Sequence, residues 1–211
     1  MTQSNKRWLR EHGKDFYVKQ AKKKGYSSRA AFKLLQICQK HKLFKSGMYV
    51  IDLGAAPGSW SQVAKKLVGV DGIVIAIDLL PMIVPAGVEF IQGDFNDVEI
   101  FNRLQEIVKK KTLHGYVDLV ISDMAPNVSG IKSIDQLKSC HLVELAWKCA
   151  QKFLVKGGTF LAKIFQYSNV DALLTDLRQY FKQVKLQKPS ASRSKSSEVY
   201  ILATEFLGYN R

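Results

Sequence analysis

Residues 48–60 read Met-Tyr-Val-Ile-Asp-Leu-Gly-Ala-Ala-Pro-Gly-Ser-Trp. Tyr49–Leu53 is short and largely apolar with two β-branched residues, a composition that predicts a buried strand. Residues 54–58 contain only Gly, Ala and Pro, which make a turn small enough for a ligand to approach the backbone. Ser59 is a good N-cap residue for a helix extending to about Val68. A strand, a glycine-rich turn and a helix form the first unit of a nucleotide-binding α/β fold.

The charge around this turn indicates which nucleotide it suits. A dinucleotide places its anionic pyrophosphate over the turn and the helix N-terminus, and Asp52 would repel it there. The G-x-G-x-x-G spacing is also missing, because only Gly54 and Gly58 are present. S-adenosylmethionine (SAM) is better suited, since it carries a cationic sulfonium and an amino group, and its carboxylate can accept from backbone N–H groups. The turn alone also fits an ordinary glycine-rich loop without a ligand.

Acidic residues end the next two predicted strands. The apolar run Gly72–Asp78 fits a strand covered on both faces. Asp78 ends it where a nucleotide site holds the hydroxyls of a ribose. The run Val88–Asp94 predicts another strand. Asp94 fits two roles equally well: it accepts from an adenine amino group, or it caps a turn or helix.

The second half of the chain adds charged residues at corresponding places. Tyr116–Asp123 predicts a strand that Pro126 prevents from continuing, so Asp123 lies where the strand gives way to a loop. Lys163 interrupts an apolar strand, which is unusual because buried lysine is costly unless it is paired or functional. The alternative is a lysine at a strand end or a sheet edge. Glu198 opens the last predicted strand, which a short loop makes antiparallel to its neighbour.

These charged residues are expected to meet at one edge of the sheet. In open parallel sheets, ligands bind outside the carboxyl ends of the strands. An antiparallel last strand begins at that same edge. The residues expected there are Asp52, Asp78, Asp94, Asp123, Lys163 and Glu198.

A helix is predicted before the first strand, from about Arg29 to Lys40, with Ser27 or Ser28 as its cap. Its apolar stripe consists of Ala31, Leu34, Leu35 and Cys38. Lys33 flanks this stripe and points either toward a cleft wall or into solvent. From the pattern alone, a solvated lysine is the simpler interpretation.

The positive charge is concentrated in two segments. The net charge is +14, and residues 1–45 contain thirteen Lys and Arg against two acids. A second basic stretch without acids runs from Arg178 to Lys195. Aromatic residues are interleaved with the N-terminal charges, whereas a solubilising tail needs none. We therefore expect a polyanion partner, most simply a nucleic acid.

Composition limits the remaining possibilities. The three cysteines and four histidines show no metal-ligand spacing, so no metal site is expected. The cysteines are interpreted as buried thiols in a reducing compartment, which favours a cytoplasmic location. No apolar run suits a membrane span and no signal peptide is recognised. We expect a single domain over residues 1–211 with a basic extension over about 1–45, and the net charge favours a monomer.

Several segments together resemble one known family. They are Arg7–Leu9, Lys22–Gly25, Ser28–Ala30, Val50–Trp60, Ala76–Met82, Gln92–Phe95, Ser122–Gly130 and Arg193–Tyr200. Over nearly the whole chain, the sequence resembles the FtsJ family of SAM-dependent ribose 2′-O-methyltransferases. The resemblance implies the Rossmann-like α/β fold of class I SAM-dependent methyltransferases. That fold has a seven-stranded, mostly parallel sheet with the last strand antiparallel and helices on both faces.

The resemblance also implies the functional residues. The catalytic tetrad of the family falls on Lys33, Asp123, Lys163 and Glu198. Its SAM-contact positions fall on Gly58, Trp60, Asp78, Asp94 and Asp123, and the glycine-rich turn adds Gly54. In this interpretation Lys163 is the base and Asp123 positions the hydroxyl and the SAM amino group. Lys33 steers the hydroxyl or a phosphate, and Glu198 orients a lysine.

The implied reaction is methyl transfer from SAM to a ribose 2′-hydroxyl of RNA. The chain most resembles the bacterial branch of the family, which implies a uridine of 23S ribosomal RNA in the assembled large subunit. Transfer RNA and messenger-RNA cap methyltransferases remain alternatives, because they face the same chemistry. A non-catalytic RNA-binding protein would not need Asp78, Asp94, Lys163 and Glu198 together. A nicotinamide oxidoreductase would need a phosphate-friendly turn, which Asp52 opposes.

Overall fold

The computed structural model describes residues 15–166, 170–194 and 196–208. Its helices are α1 (Phe16–Lys24), α2 (Ala31–His41), α3 (Ser59–Val68), α4 (Val98–Lys111), α5 (Lys132–Phe153) and α6 (Val170–Tyr180). Its strands are β1 (Tyr49–Leu53), β2 (Ile73–Asp78), β3 (Val88–Gln92), β4 (Val117–Ser122), β5 (Leu154–Phe165), β6 (Phe181–Gln187) and β7 (Glu198–Phe206). Residues 1–14 of the basic extension and Lys195 of the second basic stretch lie outside the described residues.

The strands form one sheet in the order β3-β2-β1-β4-β5-β7-β6. The pairs from β3 to β5 are parallel, whereas β7 runs antiparallel to both β5 and β6. The chain first builds outward from β1 to β3 and then continues on the other side of β1 with β4, which makes β1 and β4 the switch point. The predicted seven-stranded sheet with an antiparallel last strand is confirmed.

Strand alternation assigns the side chains to two faces of the sheet. On one face, α2 and α3 pack against apolar residues that include Val50, Leu161 and Leu202. On the other face, α4, α5 and α6 cover a larger apolar cluster. Helices on both faces are therefore confirmed. The same alternation puts Asp52 and Lys163 on the α2–α3 face, beside the helix that contains Lys33.

The sequence does not reveal the first helix, because Lys22-Lys23-Lys24-Gly25 predicts only a turn. Asp15 caps α1 by accepting from the backbone N–H of Tyr17 at 2.9 Å. Gly25 ends α1 in the left-handed conformation, with φ of +72°. The turn prediction at Gly25 was correct. The helix is hard to recognise in the sequence because its last turn is a run of lysines before Gly25. Only Val18 and Ala21 of α1 are buried, which is too few to form a clear apolar stripe.

Two other boundaries differ from the prediction. The sequence Lys156-Gly157-Gly158 is typical of a helix end and predicts that the helix before the fifth strand closes there. Both glycines instead lie inside β5, which begins at Leu154. The β4–β5 register shifts between Val117 and Leu119, so these glycines lie opposite an irregularity in the ladder. In α2, Ile37 is buried and Leu35 only partly buried, which turns the apolar stripe slightly from the predicted one.

The cysteines do not all match the expectation of buried thiols. Cys38 and Cys149 are buried, whereas Cys140 is partly exposed. Burial raises the pKa of the Cys38 and Cys149 thiols to about 12, so both stay protonated and unreactive. Within the described ranges, no group of His, Cys, Asp and Glu is arranged to hold a metal ion. None of the described helices combines the length and apolarity needed to cross a membrane.

Candidate active site

Lys163 and Asp123 form a partly buried ion pair at the carboxyl end of the parallel strands. Nζ of Lys163 lies 2.9 Å from Oδ1 of Asp123, and it also donates to the backbone carbonyl of Asp123. The lysine side chain is 9% exposed and the aspartate side chain 17%. Asp123 directly follows β4 and Lys163 lies in the neighbouring β5, so strand pairing brings them together. The alternative of a sheet-edge lysine is wrong, since β5 lies between β4 and β7.

Lys33 and Glu198 form a second ion pair on the same face. Nζ of Lys33 lies 2.6 Å from Oε1 of Glu198, and their side chains are only 13% and 12% exposed. Lys33 is the third residue of α2, and Glu198 begins β7. The interpretation of Lys33 as a solvated lysine is therefore wrong. Both lysines of the implied tetrad are instead held by the two carboxylates.

The loop between β6 and β7 fixes Glu198. The Ser192 hydroxyl donates to Oε1 of Glu198 at 2.8 Å, the same oxygen that faces Lys33. The loop is tied to α2, because the Ala191 N–H donates to Oε1 of Gln36 at 2.8 Å. Sequence reasoning missed Ser192 and Gln36. These contacts join distant parts of the chain, and serine and glutamine carry no distinctive pattern.

A cavity of about 200 Å³ opens beside this second ion pair. Its walls are formed by Arg29, Lys33, Arg193, Ser196 and Glu198. Arg29 is ion-paired with Asp15 and donates to the carbonyl of Ala191. Oδ2 of Asp15 lies 4.0 Å from Nε of Arg193. The cavity thus has more cationic than anionic groups, which suits a phosphate.

The glycine-rich turn passes close under the loop that follows β4. Gly54 has φ of +71°, and a Cβ there would lie 3.1 Å from both Cα and N of Met124. The N–H groups of Gly54 and Ala55 both donate to the carbonyl of Ile77, at 2.9 and 3.1 Å. Gly58 also has a positive φ, of +99°. Only glycine combines this backbone conformation with the close approach at residue 54.

The start of α3 presents free backbone donors beside the turn. Gly58, not Ser59, is the N-cap residue, and no side chain caps this helix. The Ser59 hydroxyl instead shares a hydrogen bond of 2.6 Å with Ser28, so the predicted capping role was wrong. The N–H of Gln62 donates to the carbonyl of Gly58 at 2.9 Å. The N–H groups of residues 59–61 precede this bond and are suited to an anionic group such as a carboxylate.

Trp60 joins α3 to α2. Its ring is buried, and Nε1 donates to the carbonyl of Ala30 at 2.9 Å. The indole therefore packs inside the protein, while the backbone of Trp60 lies in the open first turn of α3. If Trp60 contacts a cofactor as the resemblance implies, its main chain is the part available for that contact.

Asp78 and Asp94 end β2 and follow β3 at the same edge. Asp78 accepts from the N–H groups of Ala56 and Leu80, both at 2.8 Å, through different oxygens. It therefore joins the glycine-rich turn to the next loop and retains lone pairs for hydroxyl groups. Asp94 accepts from the backbone and side chain of Asn96, both at 2.9 Å. This bond is the predicted turn-capping role, and the contact with adenine stays a prediction.

Asp52 lies fully buried beneath the turn. Oδ2 accepts from the Ser61 hydroxyl at 2.6 Å, whereas Oδ1 has no hydrogen-bond partner among the described residues. The pKa of Asp52 is raised to about 7, mainly by burial, with the charges of Asp123 and Asp78 adding to the rise and the Ser61 hydrogen bond opposing it. A cationic ligand above the turn would favour the ionised form, as expected for SAM.

Replacing Asp52 with asparagine is expected to flatten the dependence of stability on pH. The unfolded carboxyl ionises near pH 3.8 and the folded one near pH 7. The wild-type free energy of unfolding should therefore fall as the pH rises through this window, by up to about 4 kcal/mol from this group. Chemical unfolding at pH 4.5 and 8.0 would measure the change. The exposed Asp71→Asn variant is the control, and an unchanged slope in Asp52→Asn would contradict the assignment.

Tyr200 was not singled out in the sequence, yet it contacts the proposed site directly. Its hydroxyl donates to Oδ1 of Asp123 at 3.0 Å, and its ring stacks on Trp60 with 5.6 Å between centroids. Burial, with the nearby charges of Asp123 and Glu198, raises the pKa of Tyr200 well above its usual value. A tyrosine within an apolar strand looks like a core residue, so only the fold reveals this contact.

The chain is similar to known methyltransferases over its full length. The model of the FtsJ-like methyltransferase family matches residues 26–206. Ribosomal RNA large subunit methyltransferase E from Coxiella burnetii (strain RSA 331 / Henzerling II) is 71% identical over 211 residues, which cover 100% of this chain and 99% of that protein. The protein of the same name from Francisella tularensis subsp. novicida (strain U112) is 51% identical over 205 residues, covering 97% and 98%.

Solved structures share the fold. A ribosomal RNA methyltransferase from Plasmodium falciparum superimposes with a TM-score of 0.74 and 31% identity, covering 87% of this chain and 100% of that one. The fibrillarin/Nop5p complex, with a TM-score of 0.56 and 18% identity, is alike in fold alone. All residues of the implied tetrad lie within the span that the family model matches. The chain belongs to the FtsJ-like methyltransferase family.

Proposed function

We propose that this methyltransferase transfers a methyl group from SAM to a ribose 2′-hydroxyl of RNA, on a uridine of 23S ribosomal RNA within the large subunit. The observation that carries the proposal is the pair of lysine–carboxylate contacts, at 2.9 and 2.6 Å, on the sheet edge beside the glycine-rich turn. The names of the bacterial relatives support the large ribosomal subunit as the source of the RNA.

The residues around the turn fit SAM. Gly54 has no side chain, so a ligand can approach the backbone of the turn. The N–H groups at the start of α3 suit the carboxylate of SAM. Asp78 would hold the ribose hydroxyls and Asp94 the adenine amino group. The buried Asp52 favours a positive charge above it, because Oδ1 lacks a partner in the described structure. When bound, SAM supplies a methyl group on a cationic sulfonium, which departs as a neutral thioether.

The tetrad assists the hydroxyl that receives the methyl group. A hydroxyl becomes a good nucleophile only when a base accepts its proton. Lys163 in its neutral form accepts that proton, and Asp123 then holds the resulting ammonium group. Lys33 steers the hydroxyl or a neighbouring phosphate, and Glu198 orients Lys33 through their 2.6 Å contact.

The basic segments would hold the RNA. The cavity lined by Arg29, Lys33 and Arg193 adjoins Glu198, so a phosphate bound there would lie close to the tetrad. Tyr17 and Phe32 form an aromatic pair with 5.4 Å between ring centroids near the same loop. Nucleic-acid binding of this kind releases counterions and weakens steeply with salt. The proposal includes a monomeric single domain that acts in the cytoplasm.

Methyl transfer from radiolabelled SAM tests the proposal directly. The acceptors are large ribosomal subunits from cells that lack this modification, naked 23S ribosomal RNA, transfer RNA and capped messenger RNA. We expect label on the subunits, at a single uridine whose 2′-hydroxyl resists alkaline cleavage once methylated. Label on transfer RNA alone would support methyl transfer to RNA but contradict 23S ribosomal RNA as the substrate. SAM binding without label on any RNA would overturn RNA methylation altogether.

Replacing Arg193 with glutamine is expected to weaken RNA binding and to lower its salt dependence. The side chain is half exposed, and losing one phosphate contact should reduce the slope of log K against log salt by about 1. Binding of ribosomal RNA fragments would be titrated between low and high salt. The matched control is Arg103→Gln, which removes an exposed arginine of α4 on the other face of the sheet. Equal slopes for both variants and wild type would argue against an RNA surface here.

A further inference from the structure

Tyr200 and Lys163 contact the same oxygen of Asp123. The tyrosine hydroxyl donates to Oδ1 at 3.0 Å, and Nζ of Lys163 lies 2.9 Å from that atom. In the described part of the chain, no hydrogen bond is found to the other oxygen, Oδ2. Oδ1 of Asp123 thus has two partners in the protein, whereas Oδ2 is available to accept a hydrogen bond from a ligand.

The fold determines where the Tyr200 hydroxyl points. Tyr200 lies directly opposite Lys163 in the antiparallel β5–β7 ladder, so both side chains leave the sheet on the same face. The ring is fully buried and stacks on Trp60, with planes inclined by 33°. The hydroxyl therefore has one fixed direction, which is toward Asp123.

Tyr200 can act only as a donor in this position. Burial and the charges of Asp123 and Glu198 raise the pKa of the hydroxyl well above its usual value. It therefore stays protonated across the range in which enzymes work and does not compete with Lys163 for a proton. The charged groups around it are Asp123 after β4, Lys163 of β5 and Glu198 of β7, which is paired with Lys33 of α2.

We propose that Tyr200 is a positioning residue that holds Asp123 with Oδ1 toward Lys163 and Oδ2 toward the bound cofactor and the ribose hydroxyl. The inference rests on the proposed function and adds a residue to the site. Without the tyrosine hydroxyl, the carboxylate keeps only Lys163 as its partner and is free to rotate. A rotated Asp123 presents neither oxygen correctly to a ligand.

Tyr200→Phe separates this role from packing, because the ring remains on Trp60. We expect SAM binding to weaken about fivefold and kcat for methyl transfer to fall about tenfold, as for loss of a hydrogen bond to a charged group. The melting temperature should change little. The matched control is Tyr116→Phe, which removes the hydroxyl of a tyrosine that is 45% exposed and should leave all three quantities unchanged.

A double-mutant cycle on SAM affinity, measured by calorimetry, tests whether Tyr200 acts through Asp123. If it does, Tyr200→Phe costs nothing further in an Asp123→Ala background, where the acceptor for the tyrosine hydroxyl is gone. Additive losses would mean a merely structural role and would overturn the inference, as would wild-type affinity and turnover in Tyr200→Phe. The affinity measurements require no RNA, so their outcomes are distinct from failure of the proposed reaction. A wild-type protein that does not bind SAM would overturn both proposals.

Discussion

Replacing Lys163 with alanine is expected to lower the rate of methyl transfer by about 10²- to 10⁴-fold, the usual contribution of a general base. The variant removes the group proposed to accept the hydroxyl proton, whereas the glycine-rich turn and Asp78 are untouched. SAM should therefore still bind, although several-fold more weakly, because Asp123 loses one of its two partners. Single-turnover methylation of large ribosomal subunits would give the rate, and calorimetry the SAM affinity.

Two further variants test whether the loss of rate in Lys163→Ala comes from the missing base. Lys163→Gln keeps a donor toward Asp123 but cannot accept the proton, so it should be as slow as Lys163→Ala while retaining more stability. Lys182→Ala breaks an exposed ion pair of similar length, 2.8 Å from Nζ to Oε2 of Glu205, at the edge of the sheet, and should leave the rate unchanged. Full turnover by either Lys163 variant would remove this lysine from the role of base.

Replacing Gly54 with alanine is expected to weaken SAM binding by at least tenfold. The new Cβ would lie 3.1 Å from the backbone of Met124, and alanine is strained at φ of +71°. Either the turn or the loop after β4 must move, and that loop begins at Asp123. Titration with SAM would therefore show a loss of at least tenfold in affinity, together with a lower melting temperature.

Gly157→Ala is the matched control for this effect. Gly157 has a comparable φ of +86°, but a Cβ there meets no atom within 4 Å. It should show the conformational strain of about 1–2 kcal/mol without a loss of SAM binding. If Gly54→Ala bound SAM as Gly157→Ala does, the close approach at Gly54 would have no bearing on the cofactor.

The sequence predicts the strand-end part of the site well. Asp78, Asp123, Lys163 and Glu198 each lie at or near a strand end in the structure, as the periodicity indicates. This works because a strand needs only a short apolar run, and parallel strands bring their carboxyl ends to one edge. Which carboxylate pairs with which lysine depends on the strand order, and the order is not visible in any one segment.

The rest of the site depends on contacts between helices, loops and the sheet. Lys33 looked solvated because its neighbours in the helix are partly polar, and its partner Glu198 is distant in the sequence. Asp15 and Ser192 have ordinary local roles, as a helix cap and a loop residue, so nothing marked their contacts with Arg29 and Glu198. Tyr200 was hidden for the opposite reason, since a buried aromatic residue in a strand normally serves packing alone.

The position of β7 has a consequence for synthesis of the enzyme. β7 is the last strand along the described chain, yet it lies between β5 and β6. A nascent chain therefore emerges with β6 lacking its neighbour in the sheet, and with Lys33 lacking the carboxylate of Glu198. Insertion of β7 completes the sheet and the Lys33–Glu198 pair in one event. A chain stalled before residue 198 would already contain the glycine-rich turn and the Lys163–Asp123 pair, but it would lack Glu198 and Tyr200.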